Sequence, residues 1–132
     1  MASILVVEDN ENLRELYEQE LSEEGYTVML AESGDAALKL MAGRRPDLIV
    51  MDIAMPGKDG IQTMHEILAM RRVIPIILNT AFPHYRDDYE TWPANAYLLK
   101  SGDLTELKAR IQEMLALFGA HEGAGAGLST RA

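Results

Sequence analysis

The chain has 132 residues, 48% of them hydrophobic, and no cysteine. This is enough for one domain with a real core and too little for two, and it leaves neither a disulfide framework nor a thiolate metal site. With 21 acidic against 12 basic residues the net charge is −9, which argues against nucleic acid or an anionic membrane as a direct partner and in favour of a protein.

No apolar stretch approaches the roughly 18 residues of a membrane span. The start, MASILVVEDN, carries neither the basic region nor the cleavage site of a signal peptide. A cytoplasmic protein with no membrane insertion is therefore expected.

In chain order, Ser3 to Val7 is predicted as a first strand that runs into Glu8, Asp9 and Asn10. From Glu11 to Glu24 the apolar positions Leu13, Leu16, Tyr17 and Leu21 fall at helical spacing, and Gly25 ends that helix. Thr27 to Ala31 is a second strand, Ser33-Gly34-Asp35 a turn, and Ala36 to Ala42 a helix closed by Gly43. Leu48 to Met51 is a short apolar run of the kind buried on both faces of a sheet, and it stops at Asp52. Met55-Pro56-Gly57 and Asp59-Gly60 form the following loop, and a helix from Gly60 to Arg71 turns Ile61, Met64, Ile67 and Leu68 inward.

Pro75 to Leu78 is a fourth strand that delivers Asn79, Thr80 and Ala81 to its carboxyl end. The stretch FPHYRDDYETWP is expected to hold one or two helical turns around Arg86 to Trp92. Asn95 to Leu99 is the fifth strand, ending at Lys100, and Leu104 to about Phe118 is the last helix. Five alternations of strand and helix specify a parallel sheet with helices on both faces and right-handed crossovers. From Gly119 onward the Gly/Ala-rich sequence has little to bury, so the domain is placed at residues 1–118 and a flexible tail at 119–132.

This alternation gathers Glu8, Asp9, Asp52, Thr80 and Lys100 at the carboxyl ends of four strands, where ligands bind in open parallel sheets. Carboxylates that close repel one another unless a cation neutralises them. Magnesium suits so sparse an oxygen site, because it keeps several waters and takes one or two carboxylates plus a phosphate oxygen. Lys100 and Thr80 add a mobile point charge and a hydroxyl donor for an anion. A carboxylate can attack phosphorus to give an aspartyl phosphate, and Asp52, in the middle of the set, is the candidate nucleophile.

The EDN after the first strand, the VMDIAMPGKDG stretch, the TA after the fourth strand and AYLLK at the fifth together resemble the receiver domain of two-component response regulators. The resemblance covers residues 1 to about 118. It implies a flavodoxin-like, doubly wound, five-stranded parallel sheet of order 2-1-3-4-5. It implies that Asp52 accepts a phosphoryl group from the phosphohistidine of a histidine kinase or phosphotransfer protein. Asp9, with Glu8 beside it, and the backbone carbonyl of Ala54 would hold magnesium together with Asp52. Thr80 would contact the phosphoryl group, Lys100 would pair with it, and the Tyr97 rotamer would follow Thr80. The protein would then be a switch and not a conventional enzyme, since the only reactions it catalyses are its own phosphorylation and dephosphorylation. Its state would be reported through the surface of the fourth helix, fifth strand and fifth helix. Nothing of output-domain size follows Phe118, so a stand-alone monomer or weak dimer is expected, acting on another protein.

Two features depart from the family pattern. Ser101 stands where the family has a proline after the lysine, in a cis peptide. A cis bond before a non-proline residue costs about 2.5–4 kcal/mol, so the sequence leaves cis and trans open at Lys100-Ser101 and does not fix the aim of Lys100. The segment between Thr80 and Lys100 is slightly short and carries Pro83, Trp92 and Pro93. Ala54 and Phe82, two residues beyond Asp52 and Thr80, have no group that could orient a water, so slow unaided dephosphorylation is expected. The competing reading is a receiver-like interaction module that is not phosphorylated. A flavodoxin-type carrier would need a hydroxyl- and glycine-rich loop where Glu8 to Glu11 stand, and a haloacid-dehalogenase-type phosphohydrolase would need an acid where Ala54 stands.

Overall fold

The computed structural model describes residues 2–52, 60–71, 73–80, 94–100 and 104–125, with side chains of the last segment through 118. Along the chain run β1 (Ser3–Val7), α1 (Glu11–Glu23), β2 (Thr27–Ala31), α2 (Gly34–Gly43), β3 (Leu48–Met51), α3 (Gly60–Met70), β4 (Ile76–Thr80), β5 (Ala96–Leu99) and α4 (Thr105–Gly125). The expected helix around Arg86 to Trp92, and the conformations at Ala54, Phe82 and Ser101, lie outside the described residues.

The five strands form one sheet of order β2-β1-β3-β4-β5, with every pairing parallel. Because side chains alternate across a strand, the sheet separates two cores. On one face Leu5, Val7, Ile49, Met51, Ile76 and Leu78 meet Ala37 and Met41 of α2 and Met64 and Ile67 of α3. On the other, Ile4, Val6, Leu48, Val50, Ile77 and Leu98 meet Tyr17 and Leu21 of α1 and Leu107, Ile111 and Met114 of α4. The strands of the middle, apolar on both faces, read as unbroken hydrophobic runs for this reason.

Local signals set the helix ends. The Asn10 side chain accepts a hydrogen bond from the Leu13 N–H at 3.0 Å and caps α1. At the other end Tyr26 N–H donates to Leu21 O and Gly25 N–H to Ser22 O, the paired closure that calls for a left-handed residue. Gly25 supplies it at φ 98°. Ser33, expected in a turn, instead caps α2 by accepting from Ala36 N–H at 3.1 Å.

Larger differences from the sequence reading lie at the ends of β4 and of the last helix. β4 includes Asn79 and Thr80, polar residues that looked like the start of a loop but are buried in the sheet. The last helix was expected to end near Phe118, with a flexible tail from Gly119; it continues to Gly125. Lengthening an existing helix orders one residue for each new hydrogen bond, without a new nucleus.

Candidate functional site

β1 and β3 end at the same level, and β4 runs two residues further, to Thr80. Val7 pairs with Met51 and Met51 with Leu78, so the next residues along, Glu8, Asp52 and Asn79, stand side by side at the strand ends. Backbone bonds carry the sheet one residue further: Glu8 N–H donates to Ala31 O and Asp52 N–H to Val7 O, each at 3.0 Å. At β5 the Lys100 N–H donates to Thr80 O at 2.7 Å.

These placements explain a buried charged cluster. Glu8 and Asp52 are 2% and 5% exposed, deep enough that each carboxylate needs a partner. Lys100 reaches both, its Nζ lying 2.7 Å from Glu8 Oε1 and 2.9 Å from Asp52 Oδ2. Glu8 Oε2 also accepts from the Asn10 N–H at 3.1 Å. Burial pushes the Glu8 carboxyl above the ordinary glutamate value, and the Asp52 charge adds to this, against the pull of Lys100 and the Asn10 N–H. For Lys100, burial works against the charge, but the bonds to Glu8 and Asp52 outweigh it and the ammonium titrates above an ordinary lysine.

Asp9 is exposed at the mouth of the cluster. One carboxylate oxygen from each of Glu8, Asp9 and Asp52 lies within 4.8 Å of the others, a separation that one cation bound among them would span. All the donors are hard oxygens, which fits magnesium. Three carboxylates sharing the single charge of Lys100 leave a net negative site, so the residues present fit a divalent ion. Ala54, whose carbonyl was expected to complete the set, lies outside the described residues.

Thr80 is fully buried as the last residue of β4. Tyr97 pairs with Leu78 across β4 and β5 and packs against the core beside α2 and α3. By strand alternation Thr80 and Tyr97 belong to that same face. The structure therefore brings Glu8, Asp9, Asp52 and Lys100 together directly, and sets Thr80 on the adjoining strand end with Tyr97 on its side of the sheet.

Three side chains have a part at this sheet edge that the sequence did not reveal. Arg14 Nη1 donates to Glu8 O at 2.9 Å and to Asp9 O at 3.3 Å, which clamps the acidic loop onto α1. Tyr17 and Asn79 form a buried hydrogen bond, Asn79 Nδ2 donating to the tyrosine oxygen at 2.9 Å. Burial raises the Tyr17 hydroxyl above the ordinary tyrosine value. The available signal was Asn79 itself, an amide two residues after Ile77 on a face that is otherwise apolar.

A family model described as response regulator receiver domain matches residues 4–112. The response regulator MprA of Mycolicibacterium vanbaalenii is 37% identical over 124 residues, which are 92% of this chain and 54% of that protein. The chain thus spans about half the length of such relatives. Among solved structures, response regulator TrrA of Thermotoga maritima in complex with Mg(2+)-BeF superposes with a TM-score of 0.81 at 43% identity, covering 86% of this chain and 98% of that one. The complex of histidine kinase ThkA with TrrA gives a TM-score of 0.80 at 43% identity, over 87% and 99% of the two chains. A five-stranded sheet of this order, a strand-end acidic cluster with its lysine and a family match over most of the chain agree, and this chain belongs to the response regulator receiver domain family.

Proposed function

We propose that this receiver domain is a phosphorylation-driven switch in which Asp52 takes a phosphoryl group from the phosphohistidine of a histidine kinase or phosphotransfer protein. The observation that carries this reading is the Glu8, Asp9, Asp52 and Lys100 cluster at the sheet edge. The Mg(2+)-BeF complex of TrrA and the complex of TrrA with ThkA support it by likeness.

An Asp52 carboxylate oxygen attacks phosphorus while the P–N bond of the donor breaks, and its electron pair stays on the imidazole nitrogen, which takes up a proton. Catalysis of such a transfer is mostly positioning and charge neutralisation. Asp52 is held at the strand end by its N–H bond to Val7 O. Lys100, already bonded to the carboxylate, offers donors to the incoming phosphoryl oxygens. Magnesium, held by Glu8, Asp9, Asp52 and the Ala54 carbonyl, would offset the negative charge gathered on the carboxylates and the phosphoryl group. The Thr80 hydroxyl would bond a phosphoryl oxygen, and Tyr97 would follow it. The readout is a shift between two surface conformations that a downstream protein distinguishes.

Titrating the protein with beryllofluoride in the presence of magnesium tests this, with Asp52→Asn as control. Saturable binding to the native protein alone is expected. Absence of binding by the native protein would falsify the phosphoryl-switch reading and leave an interaction module that is not phosphorylated.

A further inference from the structure

The face of the sheet under α1 and α4 is apolar from Ile4 to Leu98, except where β4 presents Asn79. Its amide is 5% exposed and donates to the hydroxyl of Tyr17, itself 2% exposed. Replacing both partners with apolar groups of similar shape would cost the fold little, so stability alone does not call for this pair.

Its location gives it another use. Asn79 lies level with Asp52 at the strand ends, and it is bonded through one peptide to Thr80. The Thr80 carbonyl in turn accepts the Lys100 N–H at 2.7 Å. The end of β4 is therefore tied on one side to α1 through the Asn79 side chain and on the other to the backbone of Lys100. The Tyr17–Asn79 bond spans 62 residues of sequence and is the described side-chain hydrogen bond that links α1 to the strand carrying Thr80.

We propose that Tyr17 and Asn79 are positioning residues: their buried hydrogen bond fixes the end of β4 so that Thr80 meets the phosphoryl group on Asp52. This rests on the phosphoryl-acceptor reading above. Neither residue is among the carboxylates that could hold the cation. It sets where the peptide between Asn79 and Thr80 sits, and so the distance Thr80 must cover. Loss of the bond weakens binding of a phosphoryl group and leaves cation binding at Glu8, Asp9 and Asp52 intact.

Calorimetric titration of the full chain separates the possibilities, first with magnesium alone and then with beryllofluoride in excess magnesium. The proteins are wild type, Tyr17→Phe, Asn79→Leu and the double variant, with thermal unfolding recorded for each. Magnesium affinity within about twofold of wild type is expected throughout, with beryllofluoride binding about fivefold weaker in each variant, the scale of one hydrogen bond. The double variant should recover thermal stability without recovering beryllofluoride affinity. Wild-type beryllofluoride affinity in Tyr17→Phe, or affinity that returns with stability in the double variant, would overturn the proposal and leave the phosphoryl-acceptor reading standing. No binding by wild type would overturn both. If Asn79→Leu does not fold, Tyr17→Phe, which deletes one oxygen from an intact ring, decides the matter.

Discussion

The Lys100 ammonium lies 2.7 Å from the Glu8 carboxylate, a residue 92 positions earlier in the chain, and only 2.9 Å from Asp52 on the other side. One cation thus holds two buried carboxylates together. Lys100→Met should leave them facing each other, at a cost on the order of 3 kcal/mol in metal-free protein, as for other buried ion pairs broken on one side. Urea unfolding measures the loss. Millimolar magnesium should restore part of it, and a deficit that magnesium leaves untouched would contradict a cation site at these carboxylates.

The raised Glu8 carboxyl predicts an acid-side pH dependence. In the metal-free protein the folded state keeps the Glu8 proton to a higher pH than the unfolded chain does. Stability therefore falls as pH rises from the unfolded glutamate value through the folded one, and below that window the penalty is absent. Glu8→Gln should remove this slope, which urea titrations at closely spaced acidic pH values will resolve. Lys100 acts at the alkaline end. Its value is raised, so its contribution is full below the unfolded lysine value of about 10.4 and is lost as pH climbs through the folded value.

Asn10 has two jobs at one corner: its side chain caps α1, and its N–H bonds Glu8. Asn10→Ala removes only the first, since the backbone donor remains. A loss of about 1 kcal/mol in unfolding free energy is expected, with magnesium affinity close to wild type. A large fall in magnesium affinity would show that the cap also holds the acidic loop in place.

Ala54 and Phe82 offer no hydrogen bond to an attacking water, so the phosphorylated protein should lose its label slowly, and Ala54→Glu should speed the loss. Following the decay of phosphorylated protein after donor removal checks this. Decay of the native protein as fast as that of Ala54→Glu would contradict it.

Most of the architecture was legible because the strands of this sheet are apolar on both faces. β1, β2 and β3 have the same bounds in sequence and structure, since each is an apolar run stopped by a polar or turn residue. β4 was misjudged at its end for the same physical reason: Asn79 and Thr80 resemble a loop until the Tyr17 hydroxyl is seen to satisfy the amide. Glu8, Asp9, Asp52 and Lys100 were legible as strand-end residues. That Glu8 would be as buried as Asp52 and share Lys100 with it was not, because it depends on the level at which β1 and β3 end. Arg14 was invisible because its contacts are to backbone oxygens, which no residue pattern records.

The most direct test is chemical. Native protein and Asp52→Asn are incubated with magnesium and a small-molecule phosphoramidate or acyl phosphate donor, and each is weighed intact by mass spectrometry. A gain of one phosphoryl group by the native protein and none by Asp52→Asn is expected. No gain by the native protein, or an equal gain by both, would contradict Asp52 as the phosphoryl acceptor.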